Sequence, residues 1–522
     1  MKNKSYNFSS GLFCEIHIWL SVAAITIVVS SVLLACGNDQ SKKTSKVIWS
    51  KDFPVIGSQS SPRTTDLNKD GVLDIVLGSG KNEFQESDMG ILAFDGKSGE
   101  LLWKQSAPDQ VFGSATFCDI NGDSIKDIFI GGRSPQLKAI DGKTGAVIWE
   151  YKHEKYANDP ILRYARFDFN NSVIVPDQNN DGIDDLLTVN GGNALAAAYS
   201  EVDRFPGVLI VFDAKTGNVL AADTMPDRKE SYMTPVSFLR PDSKENFVLF
   251  GTGGETISGK LYLTTLSQLR NRKLSEAKVL ATEKGHGFIA PPTLADLNKD
   301  GYLDIISISH GSTVFAINGK DDQVLWTRNF PGTECSNSFA AGYFTDDDNL
   351  DIFTFISKGT WPNSRGSVEV MLNGKDGRIE YMDSIGCTGF SSPVVYDLND
   401  DGRDEVIISV NEFDCSVGYT GASPKTMENK LIAINFADES VNTIDHANGF
   451  KNIFCTPWIG DLDNDGNLDL VYCQCFHRSE LISFIGLRIK RVDLPVKIKK
   501  PVIWGSYMGS AGNGIFGWIK SP

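Results

Sequence analysis

One nine-residue pattern recurs six times along this chain and constrains its fold more than any other feature. It places Asp at position 1, Asn or Asp at position 3, Asp at position 5, Gly or Ser at position 6 and an acidic residue at position 9. Successive copies begin 53, 58, 119, 101 and 64 residues apart. Because two of these gaps are about twice the others, each long gap is predicted to contain a degenerate copy. The intact copies begin at Asp66, Asp119, Asp177, Asp296, Asp397 and Asp461.

Both long gaps contain such a copy. In the fourth unit Phe238 stands at position 1 and Asn246 at position 9, and in the sixth unit Tyr343 and Thr345 stand at positions 1 and 3. Eight units with a period of roughly 56 residues indicate a propeller or a solenoid. The predicted fold is therefore all-β, a single closed β-propeller of eight four-stranded blades with almost no helix. Seven blades are the alternative.

The pattern supplies the oxygen ligands that Ca²⁺ prefers, and its Gly allows a sharp turn. Residues of these types also favour ordinary surface turns, which is the competing interpretation. An EF-hand would need flanking helices, whereas β-branched runs follow these loops, so each loop is predicted to join the first two strands of a blade. The predicted ligands are Asp66, Asn68, Asp70, Asp74, Asp119, Asn121, Asp123, Asp127, Asp177, Asn179, Asp181, Asp185, Asp296, Asn298, Asp300, Asp304, Asp397, Asn399, Asp401, Glu405, Asp461, Asp463, Asp465 and Asp469.

A second signal follows most of these loops by 20 to 30 residues. Segments such as ILAFDGKSGELLW, ending at Trp103, and KAIDGKTGAVIW, ending at Trp149, predict a strand, a tight turn and another strand. The Trp is predicted to pack one blade against the next. The turns share the letters GK[ST] with a phosphate-binding loop but lack its first Gly and its helix, so nucleotide binding is not expected.

The nonapeptides resemble FG-GAP repeats (integrin α-like, also called VCBS), and the hairpins resemble the blades of PQQ-type quinoprotein propellers. Together these resemblances cover about residues 47 to 480. They imply a calcium-binding propeller with about six ions and with weak or no binding in the fourth and sixth units. No adjacent Cys pair of the quinone-dependent dehydrogenases and no C-x-x-C-H motif is present, so neither PQQ nor haem is expected.

The N-terminus reads as a targeting segment. An apolar run ends in Leu33-Leu34-Ala35-Cys36-Gly37, which resembles a bacterial lipobox. The predicted organisation is a lipoprotein signal peptide at 1–35, a lipidated Cys36 with a flexible tether at 36–46, and a propeller at 47–522. An uncleaved anchor helix is the alternative, since the run is long enough to span a bilayer. Either way the body is expected outside the cytoplasm, anchored at a bacterial outer membrane or cell surface.

The net charge excludes one class of function, and the cysteines predict where disulfides lie. The net charge of −16 argues against a nucleic-acid binder. Export of the protein permits disulfides. Six of the seven cysteines after Cys36 lie beyond residue 330, so any disulfides are expected mainly in that part of the chain. The spacing does not reveal the pairing.

Binding is expected on the face opposite the acidic loops, where the connections after the second strands vary in length. The candidate ligand-binding residues are Tyr199, Phe205, His286, Trp361 and Tyr419. No catalytic motif stands out, so the predicted function is a non-catalytic binding, adhesion or assembly module for protein or glycan, anchored to the membrane by its lipid. A polysaccharide lyase-like enzyme is the alternative.

Two chain ends compete to complete the final blade. Val47-Ile48-Trp49 resembles the last strand of a blade, and Val502-Ile503-Trp504 has the same letters. The basic stretch from Arg488 to Lys500 is predicted to be an edge strand with a solvated face, or else a contact for anionic lipid or polysaccharide.

Overall fold

The apolar run after each acidic loop forms the second strand of a blade in the computed structural model, which describes residues 45–360, 364–418, 427–476 and 483–517. Strand β3 (Asp74–Gly78) is buried at every position, and so is β7 (Asp127–Gly131). Such strands carry apolar side chains on both faces because each blade is packed between two neighbours.

Within the described residues, thirty-five strands form eight antiparallel sheets. Blades one to four comprise β2 (Arg63–Thr65), β3, β4 (Ser87–Phe94) and β5 (Leu101–Ala107); β6 (Thr116–Cys118), β7, β8 (Leu137–Ile140) and β9 (Val147–Glu150); β10 (Asp168–Phe169), β11 (Val173–Val175), β12 (Asp185–Gly191), β13 (Val208–Phe212) and β14 (Val219–Thr224); and β15 (Val236–Leu239), β16 (Asn246–Gly251), β17 (Gly259–Thr265) and β18 (Lys278–Glu283). Blades five to eight comprise β19 (Thr293–Ala295), β20 (Asp304–Ile308), β21 (Thr313–Ile317) and β22 (Val324–Asn329); β23 (Thr333–Glu334), β24 (Ala340–Gly342), β25 (Asp351–Lys358), β26 (Ser367–Asn373) and β27 (Ile379–Asp383); β28 (Val394–Tyr396), β29 (Glu405–Glu412), β30 (Glu428–Asn435) and β31 (Ser440–Asn448); and β32 (Phe450–Lys451), β33 (Trp458–Gly460), β34 (Asn467–Phe476), β35 (Gly486–Lys497) and β1 (Lys46–Pro54).

The prediction of an eight-bladed, all-β propeller is confirmed. Each acidic loop joins the innermost strand of its blade to the second strand, so the loops share one face of the propeller. The α-helix α1 (Leu266–Arg270) is five residues long and is inserted between β17 and β18. Among the described residues, no helix combines the length and the apolar character needed to cross a membrane.

Tryptophans on the outermost strands dock four of the blades onto the next blade, as predicted. Trp103 donates its indole N–H to the carbonyl oxygen of Gly142 at 2.9 Å, and Trp149 donates to Ala214 at 2.8 Å. The ring of Trp103 lies against Gly145, where a Cβ atom would come within 2.6 Å of it. This glycine has a φ of +72°, so both its turn and its close packing exclude a side chain.

The N-terminal strand closes the propeller. β1 pairs antiparallel with β35 from Lys46 opposite Asp493 to Pro54 opposite Gly486. Trp49 donates to the carbonyl oxygen of Gly96 in the first blade at 2.9 Å. The basic stretch therefore lies largely inside the sheet, between β34 and β1, and the prediction of an edge strand there was wrong because β1 covers it.

The C-terminal segment takes a different role and fills one end of the central channel. Trp504 is fully buried and its carbonyl oxygen accepts from Val395 in the seventh blade at 2.9 Å. The carbonyl oxygen of Gly514 accepts from Leu294 in the fifth blade at 2.8 Å. Arg63 of the first blade donates to the hydroxyl of Ser506 at 2.9 Å. One segment thus bonds to innermost strands on several sides of the channel.

One disulfide joins Cys387 to Cys415 across the loops of the seventh blade. It lies beyond residue 330, in the part of the chain where disulfides were expected. Disulfides persist in oxidising compartments. Cys455 and Cys473 are buried thiols.

Candidate functional sites: the acidic loops and the central cavity

Each acidic loop is folded by its own carboxylates and amides. In the first blade Asp66 accepts the backbone N–H groups of Lys69 at 2.7 Å and Gly71 at 3.1 Å. Asn68 accepts the N–H of Asp70 at 2.9 Å. Gly71 has a φ of +85°, which lets the chain turn sharply at position 6. The side chains at positions 1, 3 and 5 are thereby held around one small loop.

The position-9 carboxylate lies beneath the loop and is buried. Asp74 accepts the N–H of Leu67 at 2.8 Å and that of Gly96 at 3.0 Å, so it ties the loop to the hairpin of the same blade. Burial raises the pKa of Asp74 to about 6, and the charges of Asp95 and Asp70 add to this effect. Negative charge is therefore crowded at this position.

The other intact loops repeat this arrangement. Burial is the largest cause that raises the pKa of the position-9 carboxylate in each, and other acidic side chains add to it. The pKa is raised to about 6 in Asp185, Asp304 and Asp469 and to about 7 in Glu405, and it is also raised in Asp127.

The eighth loop differs because it contains a cation from the protein itself. Asp461, Asp463 and Asp469 each place an oxygen within 4.8 Å of the others, closer than three carboxylates come in the other acidic loops of the described chain. The guanidinium of Arg491 donates through Nε to Asp469 at 2.9 Å and through Nη2 to Asp463 at 2.5 Å. Its side chain is only 3% exposed. The negative charge of the predicted calcium ligands of this loop is thus offset in part by an arginine from β35.

A cavity of about 220 Å³ lies in the channel towards the opposite face. Residues from all eight blades line it, together with Tyr507 of the C-terminal segment. Burial raises the pKa of Tyr507 to about 12, so its phenol remains neutral.

A belt of polar side chains encircles this part of the channel just before the innermost strands. Backbone N–H groups donate to the side chain of the next blade, from Thr456 to Ser61 at 3.0 Å, from Ser61 to Ser114 at 3.0 Å and from Ser392 to Thr456 at 3.0 Å. These short polar residues hold neighbouring blades in register around the cavity.

Charged pairs surround the mouth of the cavity. Arg133 contacts Glu83 and lies 3.1 Å from Asp168, while Arg204 pairs with the buried Glu230. Burial raises the pKa of Asp168 to about 7, although Arg133 partly opposes this. Arg204 belongs to the long connection between β12 and β13, whose carbonyl oxygens it also binds.

The predicted ligand-binding residues differ in exposure and position. Tyr199 is 71% exposed on the same long connection, so it is available for contact. Phe205 is half-buried and stacks on Phe167 with 5.8 Å between ring centroids, so it supports the loop instead. His286 lies between blades four and five beside the cavity. Trp361, Tyr419 and Cys36 lie outside the described residues.

Sequence reasoning missed the charged groups at the mouth. Glu83, Arg133, Arg204 and Glu230 come from non-repeating connections of different blades, and Asp168 begins the short strand β10. The nonapeptide carries no information about these connections, and only their unusual length marked one of them in the sequence.

Two dehydrogenase structures show the same fold at low sequence identity. A europium-containing methanol dehydrogenase is 9% identical with a TM-score of 0.54, covering 86% of this chain and 93% of that chain. Quinohemoprotein alcohol dehydrogenase ADHIIG from Pseudomonas putida HK5 is 12% identical with a TM-score of 0.53, covering 88% and 77%. At this level of identity the likeness concerns the propeller alone.

Sequence comparison gives the family. Protein FAM234B of Mus musculus is 22% identical over an alignment of 424 residues, which covers 74% of this chain and 63% of the relative. The chain thus spans less than two thirds of that relative's length. The family model of the FAM234A/B β-propeller matches residues 79–388, more than half of the chain. The propeller expected from FG-GAP-like and PQQ-like repeats is therefore present, and the chain belongs to the FAM234A/B β-propeller family.

Proposed function

We propose that this protein is a non-catalytic binding module that receives part of a protein or glycan ligand in its central cavity. The observation that carries the proposal is the lining of that cavity, to which every blade contributes. A site built by all eight blades on a rigid scaffold is pre-organised for recognition.

The size and chemistry of the cavity fit a polar group of limited bulk. About 220 Å³ accommodates one sugar ring or one or two side chains, not a large cofactor. Arg133 and Asp168 offer a donor and an acceptor at the mouth, while Phe112 and Phe390 supply apolar surface. The exposed loop with Tyr199 extends the contact area around this point.

We also propose that calcium stabilises the opposite face. The loops that begin at Asp66, Asp119, Asp177, Asp296 and Asp397 combine carboxylates with a turn-forming glycine or serine, and their buried position-9 acids are crowded by other acids. A divalent cation bound by positions 1, 3, 5 and 9 would relieve this repulsion. Arg491 does so in the eighth loop, which leaves about five sites for ions.

The proposed location is the exported face of a membrane, with Cys36 as the lipidated residue. The lipobox-like sequence is the support for the anchor, and the Cys387–Cys415 disulfide is in keeping with an oxidising compartment.

Capture experiments with the full chain test the binding function. A glycan array and a pull-down from envelope extract should yield a ligand whose binding falls at least tenfold in Arg133→Gln. The matched control is Arg488→Gln, which changes an arginine on the outer part of the eighth blade. Binding that survives Arg133→Gln but is lost in Tyr199→Ala would contradict recognition by the cavity.

A further inference from the structure

Three metal-ligating side chains from consecutive blades meet beside the central cavity. His286 precedes the fifth blade, His310 follows β20, and Glu334 lies on β23 of the sixth blade. One ligand atom from each lies within 4.8 Å of the others. The imidazole Nε2 of His310 is 3.4 Å from a carboxylate oxygen of Glu334, and the two imidazole centroids are 5.7 Å apart.

His310 has an unsatisfied nitrogen that points into this cluster. Its side chain is only 3% exposed, and Nε2 makes no hydrogen bond. The other nitrogen, Nδ1, lies 3.3 Å from the hydroxyl of Ser336. Buried polar atoms are rarely left without a partner, so an unbonded nitrogen here requires an explanation.

His286 is held in the orientation typical of a metal ligand. Its Nδ1 lies 2.6 Å from the backbone carbonyl oxygen of Glu255, which can only accept, so Nδ1 carries the proton. The lone pair is then on Nε2. Metal-binding histidines commonly donate their second nitrogen to a carbonyl or carboxylate in this manner.

The backbone fixes the three loops relative to one another. His310 donates its N–H to Gly287 at 2.8 Å, Cys335 donates to His310 at 2.9 Å, and Gly259 donates to His286 at 3.0 Å. The ring of His286 also lies over Gly311, where a Cβ atom would approach within 2.9 Å. The rings are therefore positioned before any ligand arrives.

We propose that His286, His310 and Glu334 form a binding site for a divalent transition metal of the Zn²⁺ class. Two imidazoles and one carboxylate suit such ions better than Ca²⁺, which prefers oxygen ligands. Three protein ligands leave a fourth position for water or for a donor atom of a bound molecule. Ser336 and Glu255 line the central cavity, so the metal stands where a ligand in the cavity can reach it.

Calorimetric titration of the full chain with ZnCl₂ tests this site. Millimolar Ca²⁺ is present throughout to occupy the acidic loops, and no cavity ligand is added, so the result is independent of the proposed binding function. We expect one Zn²⁺ per chain with micromolar or tighter affinity. His310→Ala and His286→Ala should each lower the affinity at least 100-fold, and Glu334→Gln about 10- to 100-fold. The control is His446→Ala, an exposed histidine on β31.

Co²⁺ provides a second readout, because visible absorption of its four-coordinate form reports the ligand set directly. The band should be present in the wild type and in His446→Ala and absent from His286→Gln. Because His286 is half-exposed, His286→Gln is expected to fold, and it therefore tests the metal site even if His310→Ala fails to fold. The proposal would be overturned if the wild-type chain binds no Zn²⁺ below millimolar concentration. It would also be overturned if Zn²⁺ binding is unchanged in the folded histidine variants. The cluster would then be only a contact between histidines and a glutamate.

Discussion

The fifth and eighth acidic loops have nearly the same sequence but different electrostatics. In the fifth loop, the carboxylate of Asp304 accepts backbone N–H groups from Leu297 at 3.0 Å and Gly319 at 2.9 Å. In the eighth loop, Asp469 also accepts the Nε–H of Arg491 at 2.9 Å. The fifth loop gathers acids around neutral donors, whereas the eighth carries a fixed positive charge.

The degenerate sixth loop supplies a hydrogen-bond donor to its position-9 acid in another way. Thr345 replaces an acidic or amide ligand and donates its hydroxyl to Asp351 at 3.1 Å. Burial still raises the pKa of Asp351 to about 7, and the charge of Glu380 contributes. The three loops show that one backbone turn tolerates a guanidinium, a hydroxyl or, as we propose, an external cation at the same place.

Removal of calcium should have the largest effect, because it acts on every loop that lacks its own cation. Extracellular-type sites bind with Kd on the order of 10⁻⁴ to 10⁻³ M, so each contributes roughly 0.7 to 1.8 kcal/mol at ~2 mM calcium. Five such loops with bound calcium would together stabilise the fold by about 5 kcal/mol, and excess EDTA should lower the Tm by roughly 5 °C. Differential scanning calorimetry measures this shift. An unchanged melt in excess chelator would contradict the calcium proposal.

Arg491→Gln should have the next largest effect and converts the eighth loop towards the fifth. Loss of the guanidinium leaves the buried Asp469 and the half-buried Asp463 without their partner, which destabilises the fold by about 3 kcal/mol. We also expect the loop to gain one calcium ion, detectable by metal analysis. Arg488→Gln is the control, since its partner Asp52 is exposed and such pairs contribute less than about 1 kcal/mol. If the variant is destabilised but its calcium content does not rise, the loop cannot bind the ion.

Acidification should partly replace the stabilising effect of calcium on the fold. The pKa of Asp304 is about 6 in the folded chain, above its ordinary value, so the folded state holds the proton more tightly than the unfolded state does. This contribution to stability is fully present below about pH 4 and is lost as the pH rises through 6. In EDTA, a shift from pH 7.5 to 5.5 should therefore stabilise the fold by on the order of 1 kcal/mol for each such carboxylate. With calcium bound the gain should be smaller, and equal gains in both buffers would refute this account.

The repeat explains how much of the fold could be predicted. Each nonapeptide and its following strand are local signals, so the blade number, the loop positions and the docking of Trp103 could be inferred from short stretches of sequence. Arg491 could not be assigned to the eighth loop, because its partner Asp463 is 28 residues away and only the strand register brings them together. The meeting of His286 and His310 likewise depends on loops of adjacent blades, although these residues looked scattered in the sequence.

Asp300→Ala should have the smallest effect of the series but the sharpest interpretation. Asp300 occupies position 5 of the intact fifth loop, accepts the N–H of Tyr302 at 2.9 Å and is predicted to bind the ion. Its loss removes one ligand and should reduce the stoichiometry by about one calcium, with a loss of stability of about 1 kcal/mol at ~2 mM calcium and the fold retained, because blades contribute semi-independently. The matched change is Asp347→Ala at position 5 of the sixth loop, where Asp347 already accepts the backbone N–H of Asn349 at 2.9 Å and the side-chain N–H of the same residue at 3.0 Å. That variant should leave the calcium count almost unchanged. Equal calcium loss in both variants, measured by calorimetry or metal analysis, would mean that the threonine-containing loop binds the ion as well as the acidic one does, and the distinction between the two loops would fail.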